Sequence, residues 1–425
     1  MVVYEPNMVL SNQEFKVVGT RPIRHDGLDK VTGRARYGAD IALPGLLHGK
    51  ILRSPHAHAV IKKIDTSKAK ALPGVRAVLT GHDLPAPSDR TDVVAEGGFQ
   101  NLGFMSLNCM AKDKALYVGH AIAAVAASDP HIAEAALSLI SVEYEVLEPV
   151  FDGRAAMKEG APILHRTLET VYDIMKPGGT SSDGSENMTN IAKRFVQDLG
   201  DITKGFEEAD IIVEREFDTV PVHQGYIEPH SATALWDREN KVTVWSSSQG
   251  QFAIQEQIAA LLDLPISKVK CIPMEIGGGF GGKTCVYLEP VAAALSKETG
   301  NPVKITMNRT EVFTGTGPTS GSYTKVKIGA TKSGKITAVD AYMVFEAGAF
   351  PGSPVGGAAR CMFSPYDIPN AHIEGLDVVV NTQKTAAYRG PGAPIGAFAV
   401  EQLLDEICRT LEIDPMEFRI MNASK

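Results

Sequence analysis

The stretch Ile276-Gly277-Gly278-Gly279-Phe280-Gly281-Gly282-Lys283-Thr284 decides how this 425-residue chain is read. An apolar run, Val269 to Met274, leads into it, and a helical pattern, Pro290 to Lys297, follows. Five glycines in six positions let the chain adopt positive φ and let another molecule approach the main chain. N–H groups turned to one side would form a concave anion site, and Phe280 adds one rigid apolar body. Each glycine costs conformational entropy, so a plain strand-to-helix turn gives no reason to hold five of them.

Two short patterns match the loop. Gly277, Gly282, Lys283 and Thr284 satisfy G-x-x-x-x-G-K-[ST], the phosphate loop, and Gly277, Gly279 and Gly282 satisfy the dinucleotide fingerprint G-x-G-x-x-G. Neither context holds. A phosphate loop needs a helix running on from Lys283-Thr284, and Pro290 would break it in mid-course. The strand expected over Val303 to Met307 ends in Asn308-Arg309, where a dinucleotide site wants an acid for the ribose. A phosphate-loop NTPase or a non-catalytic scaffold subunit is thus the weaker reading, from another class.

A longer series fits better. Ser246-Ser247-Ser248-Gln249 lies upstream and Ala387-Tyr388-Arg389-Gly390-Pro391-Gly392 downstream. Val18 to Pro22, Asp29 to Gly33, Arg53 to His58, Pro73 to Val75 and Asp414 to Asn422 extend the series. In this order the segments resemble the molybdenum subunit of the xanthine dehydrogenase and aldehyde oxidoreductase family, from about residue 18 onward. The resemblance implies an α+β chain: an arm over 1–17, a hammerhead-like α/β domain over 18–155 and a linker over 156–195. Residues 196–425 would then be the N-terminal half of a split molybdopterin-binding domain.

Composition agrees with a globular protein. A net charge of −8 gives no electrostatic footing for a nucleic-acid or anionic-membrane partner. The longest apolar run, Leu116 to Ala127, is interrupted by Gly119 and His120 and is too short to span a bilayer. Met1 to Phe15 lacks the pattern of a signal peptide, so the expected location is cytoplasmic. Cys109, Cys271, Cys285, Cys361 and Cys408 show no C-x₂-C spacing, which leaves iron–sulfur sites to other chains. Cys285, beside the glycine loop, is read as a small hydrophobe and is the one to check for reactivity.

Periodicity places a helix after Asp129-Pro130, a strand over Val142 to Val146 and an amphipathic helix over Gln251 to Leu262. A hairpin is expected across Lys332 to Lys335, and a helix over Pro394 to Cys408 with Phe398, Leu403, Leu404 and Ile407 as core. Lys176 to Asn190, rich in Gly, Ser and Asn, reads as exposed loop. His56, His58, His223 and His230 read as structural residues rather than metal ligands. The glycine-rich Ala347 to Arg360 stretch is open between lid, interface and cofactor-facing loop.

Family likeness implies molybdopterin cytosine dinucleotide carrying molybdenum with a sulfido or selenido ligand. The metal is held by the pterin dithiolene, so no side-chain ligand set is needed. Water is the oxygen source, and electrons leave through iron–sulfur clusters and FAD on partner subunits. Gln249, 31 positions before Phe280 as in the family, would donate to the molybdenum oxo group. Gly278, Gly279, Phe280, Gly281 and Gly282, with Arg389 and Gly390, would line the cofactor. Phe280 and Gly281 would offer N–H groups, and Arg389 would be a fixed cation near the reacting carbon.

Departures narrow the substrate. Thr284 stands where purine-oxidising members carry glutamate, Thr319 where they carry arginine, and Pro391 where they carry an aromatic. Thr319 and Phe350 are the substrate-contact candidates on this chain. The general-base glutamate would sit on a second molybdopterin subunit, and Glu275 and Glu289 do not occupy its position. The nearest resemblance is to split members that hydroxylate nicotinate to 6-hydroxynicotinate with NADP as acceptor; a split purine or xanthine dehydrogenase is the alternative.

Overall fold

A computed structural model describes residues 16–17, 20–85, 92–95, 98–176, 179–181 and 189–424. The expected arm over 1–17 therefore lies almost wholly outside the described residues. Two seven-stranded mixed sheets dominate the chain. The first runs Val269–Pro273, Val242–Ser246, Ser231–Trp236, Val303–Thr306, Leu47–Arg53, Ala121–Ala127, Val75–Thr80. Its centre joins distant parts of the sequence, with Leu47 beside Val303 and Gly49 beside Ile305 in parallel register. Gly49 has a local reason to be glycine, since a Cβ there would fall 2.4 Å from the Ile305 side chain.

The second sheet runs Gly179–Ser181, Val171–Lys176, Ile191–Leu199, Ala371–Val379, Ile336–Gly348, Ser322–Ala330, Ile211–Thr219. Its long strand Ile336–Gly348 shows the two-residue alternation of a strand covered on both faces. Val339, Ala341, Met343 and Phe345 pack with the helices Val355–Cys361 and Ala393–Leu411. Val344 and Tyr342 turn to the opposite cluster, with Leu116, Tyr117, Val150 and Phe350.

Three expectations change here. Residues 156–195 are not a free tether, because Val171–Lys176 and Gly179–Ser181 pair with the second sheet and Leu164, Leu168 and Asn190 are buried. The Asn190 amide donates to the carbonyls of Ala156 and Pro162 and accepts from Leu164, tying the stretch down. Of the expected exposed loop Lys176 to Asn190, Lys176 and residues 179–181 are strand and Asn190 is buried, while residues 177–178 and 182–188 lie outside the described residues. Phe398, expected in the core, is 49 % exposed and sits edge-on to Phe217. The buried stripe of its helix runs through Gly396, Ala399, Val400, Leu403, Leu404 and Ile407, and Phe398 falls one step outside it.

The other local signals formed as the residues dictate. Asp129 accepts from the N–H groups of His131 and Ile132, with Pro130 at the first helical position of Pro130–Leu137. Asp201 caps Ile202–Glu207 in the same manner, and the hairpin turns across residues 331–335. Among the described residues no helix is long and apolar enough to cross a membrane.

Candidate functional site

The glycine loop leaves the edge strand Val269–Pro273 of the first sheet and ends before the helix Glu289–Thr299. Glu289 closes that helix's N-terminus from within. One carboxylate oxygen accepts from Ser246 Oγ at 2.5 Å, and the other accepts from the N–H groups of Tyr287 and Leu288. It is thereby occupied as a cap. Glu275 is likewise committed, in an ion pair with Lys30 at 2.6 Å.

Gln249 and the loop hold each other. The Gln249 N–H donates to the Lys283 carbonyl at 2.9 Å, while its side-chain Oε1 accepts from Gly281 N–H at 2.8 Å and Lys283 N–H at 3.3 Å. A Cβ on Gly279 would lie 2.4 Å from that same oxygen, so glycine is what lets the amide lie against the main chain. With Oε1 engaged, the NH₂ of this exposed side chain is left outward as a two-proton donor without a partner among the described residues.

The crest of the loop is held in an unusual conformation. Phe280 has φ of +53° and is 48 % exposed, rare for a bulky residue. Gly281 follows at φ of +105°, and a Cβ there would meet the Ala387 carbonyl oxygen at 2.6 Å. Phe280 in turn accepts from Arg389 N–H at 2.9 Å. The Ala387–Gly392 segment thus lies directly on the loop, with Gln224 also donating to the Ala387 carbonyl at 2.7 Å. The exposed Arg389 guanidinium makes no hydrogen bond or ion pair to any described residue, which counts against a structural salt bridge.

The Ala347–Arg360 stretch now has a definite role. It forms the short helix Val355–Cys361, against which the turn after Arg389 is wedged. A Cβ at Gly392 would meet Pro354 O at 2.5 Å and Ala358 N at 2.6 Å, and one at Gly357 would meet Pro391 O at 2.8 Å. Gly390 and Gly392 both carry positive φ. Backbone packing therefore fixes where Arg389 emerges.

One feature of the loop differs from expectation, and another accords with the rejection of a phosphate loop. Gly281 N–H, expected to face a cofactor, donates to Gln249 instead; Gly278, Gly279 and Phe280 keep N–H groups without partners among the described residues. Lys283, the would-be phosphate-loop cation, is fully buried in a 2.7 Å ion pair with Glu228 and lies over the Tyr226 ring. Burial pulls its pKa below the ordinary lysine value, and the hydrogen bond to Glu228 works the other way. Glu228 also accepts from Gly277 N–H at 2.8 Å, pinning the start of the loop. A lysine so enclosed has no access to a nucleotide phosphate.

Sequence reasoning missed Glu228 and Tyr226, while it read the nearby His223 and His230 as structural. The dense polar and aromatic run Gln224-Gly225-Tyr226-Ile227-Glu228-Pro229-His230 was the available signal. Beneath the loop the Tyr226 hydroxyl bonds His230 Nε2 at 2.7 Å and Thr316 Oγ1 at 3.2 Å, and Thr316 Oγ1 also bonds His223 Nε2. Burial holds His230 well below its ordinary pKa, hence neutral. Removing one member of a buried ion pair typically costs about 3–5 kcal/mol, the loss expected for Glu228→Ala. Urea unfolding measures it, and a loss under about 1 kcal/mol would make the pair dispensable.

Thr284 Oγ1 donates back to the Gly281 carbonyl at 2.8 Å, and Thr319 is half-buried with its N–H on the Val222 carbonyl. Phe350 is only 1 % exposed, packed against His165 and Phe104, yet its ring lines a cavity that Cys285 also borders. Among the described residues no cluster of three or more His, Cys, Asp or Glu could hold a metal ion. The residues present suit a cofactor that brings its own metal ligands: outward amide donors, bare glycine backbone, an apolar cover and a free cation.

Comparisons with known proteins point the same way. The sequence profile described as the aldehyde oxidase and xanthine dehydrogenase a/b hammerhead domain matches residues 32–148. The profile of the molybdopterin cofactor-binding domain matches residues 184–423. The chain is 31 % identical to the nicotinate dehydrogenase large molybdopterin subunit of Eubacterium barkeri, over 97 % of this chain and 90 % of that one. It is 31 % identical to the carbon monoxide dehydrogenase large chain of Afipia carboxidovorans, over 98 % of this chain but 51 % of that protein. The solved quinoline 2-oxidoreductase of Pseudomonas putida 86 superposes with a TM-score of 0.83 at 29 % identity, covering 96 % of this chain and 50 % of that one. The chain thus spans nearly all of the first relative and about half of the other two. Glycine loop, locked glutamine and paired profiles together place the chain in the xanthine dehydrogenase and aldehyde oxidase family of molybdenum-dependent oxidoreductases.

Proposed function

We propose that the chain is the molybdopterin-binding subunit of a multi-subunit hydroxylase that inserts oxygen from water into an N-heteroaromatic ring. Nicotinate to 6-hydroxynicotinate is the proposed reaction, with NADP as acceptor: nicotinate and water give product, two electrons and two protons. The observation that carries the reading is Gln249, whose oxygen is spent on the glycine loop that Arg389 N–H also joins at Phe280, leaving its NH₂ without a partner among the described residues. Likeness over nearly the whole length of the Eubacterium barkeri protein supports the nicotinate assignment. The purine alternative is weaker, because Thr284 is a neutral side chain turned back onto the loop.

The cofactor proposed is molybdopterin cytosine dinucleotide with a sulfido or selenido ligand on molybdenum. When bound, it supplies oxygen transfer and accepts the electron pair. This chain's residues bind and orient it. Gln249 offers a donor held in fixed direction, Phe280 excludes water from one side, and Arg389 places positive charge where the ring becomes electron-rich. A second molybdopterin subunit would bring the catalytic glutamate, and iron–sulfur and FAD subunits would carry electrons onward.

Apolar residues beside the site support a covering partner. Ile227 and Phe252 are each 88 % exposed, next to the Tyr226–Glu228 anchor and to Gln249. Such exposure suits an interface of roughly 2,000 Å² or more. Turnover in water enriched in heavy oxygen tests the reaction. One labelled oxygen per product molecule is expected; unlabelled product, or no hydroxylation of any heteroaromatic ring by the assembled protein, would refute it.

A further inference from the structure

A cavity of about 420 Å³, an ordinary size for a small-molecule site, lies beside the glycine loop. Its walls come from the helix Leu102–Cys109, the strand Ile191–Leu199 and the segments 285–287, 350–352 and 384–385. Two of these continue the site directly. Cys285 follows Gly281 by four residues, and Lys384-Thr385 precede Ala387, which packs on Gly281. Phe104 and Phe350, with ring centres 6.2 Å apart, give the cavity aromatic surface.

Two of its polar groups keep unused donors. Lys384 Nζ donates to the carbonyls of Gly352 at 3.2 Å and Thr385 at 3.0 Å, and forms no ion pair with any described residue. An ammonium has three N–H bonds, so one remains. Thr385 is buried, 7 % exposed, and its Oγ1 has no hydrogen-bond partner among the described residues. Asn108 accepts from the Tyr117 hydroxyl at 3.2 Å, which leaves its NH₂ unpartnered among the described residues. Asp377 is the inner acid, but its two oxygens accept from Gly352 and Ser353 N–H groups at 2.8 and 2.9 Å. Glu169 and Lys193 line the more exposed part, one of each charge. Burial pulls the Lys384 pKa below its ordinary value, while the nearby Asp377 charge works the other way without forming an ion pair.

We propose that this cavity receives an aromatic carboxylate and that Lys384 docks the carboxylate, selecting anionic over neutral rings. The proposal rests on the hydroxylase reading, whose substrate nicotinate is an anion, and adds the residue that anchors that charge. The aromatic walls take the ring faces, and Lys384 and Asn108 supply hydrogen bonds to the carboxylate. A neutral ring of the same shape would leave the Lys384 charge unmet.

Calorimetric binding of nicotinate and its neutral isostere nicotinamide to the assembled protein tests this, alongside steady-state KM. Nicotinate should bind at least about tenfold more tightly, the scale of one charge-assisted hydrogen bond. Lys384→Met should abolish the preference and raise KM for nicotinate about 10–100-fold with kcat within about threefold, while Lys384→Arg keeps most of it. Equal binding of the two ligands by the unaltered protein, or a preference retained in Lys384→Met, would overturn the proposal. The unaltered comparison decides even if the variants fail to fold. A complex that binds both ligands equally yet hydroxylates a neutral heteroaromatic ring sinks the anion dock alone, whereas absence of any hydroxylation sinks the function.

Discussion

Replacing Arg389 with methionine should lower kcat by about 10²–10³-fold, the usual loss for one preorganised electrostatic donor. Attack on the ring carbon pushes electrons onto the heterocycle, so negative charge gathers during the chemical step. The guanidinium is ready for that charge because its backbone is fixed: Arg389 N–H sits on Phe280, and Gly392 is wedged against Pro354 and Ala358. A fixed charge costs little reorganisation as the barrier is crossed, so the loss falls on kcat more than on KM. Molybdenum content should stay near normal, since the side chain supports no described neighbour. Steady-state kinetics with metal analysis checks this. An unchanged kcat with raised KM would make Arg389 a binding residue, and loss of assembly would make it structural.

Gly281→Val should empty the site of cofactor while leaving most of the fold. The loop needs φ of +105° at this position, and a Cβ would enter the Ala387 carbonyl at 2.6 Å. The strain costs about 1–3 kcal/mol, within the stability of an ordinary domain. Its local consequence is larger: Gly281 N–H and Ala387 must part, which frees the Gln249 amide and displaces Arg389 together. Molybdenum should fall at least about tenfold, because the loop backbone and the Gln249 amide lose their preorganisation at once. Circular dichroism should be little altered. Full molybdenum and activity in this variant would reduce the loop to a turn.

Local features were legible from the sequence because their causes are local. The Asp129 cap, the 331–335 turn and the strand, glycine loop and helix succession each rest on a few adjacent residues. The register between Gln249 and Phe280 was legible too, and the structure supplies its physical reason in the bonds from Gly281 and Lys283 to Gln249 Oε1. Pairing partners were not legible. Leu47 beside Val303 is one of many apolar matches an alternating strand could make, and only the closed sheet selects it. For the same reason Val171–Lys176 looked like connector until the second sheet accepted it. Phe398 failed because an apolar residue one step off a helical stripe cannot be told from a core residue without knowing the stripe's direction. Lys283 carried a misleading motif, and its true partner Glu228 lies 55 residues away. Lys384 carried no motif at all.

Metal analysis of the assembled protein, purified without added molybdenum, tests the central claim most directly. About one molybdenum per copy of this chain, released together with a pterin on denaturation, is the expected result for a cofactor that brings its own metal ligands. Folded, fully assembled protein that turns over substrate with no molybdenum would contradict it.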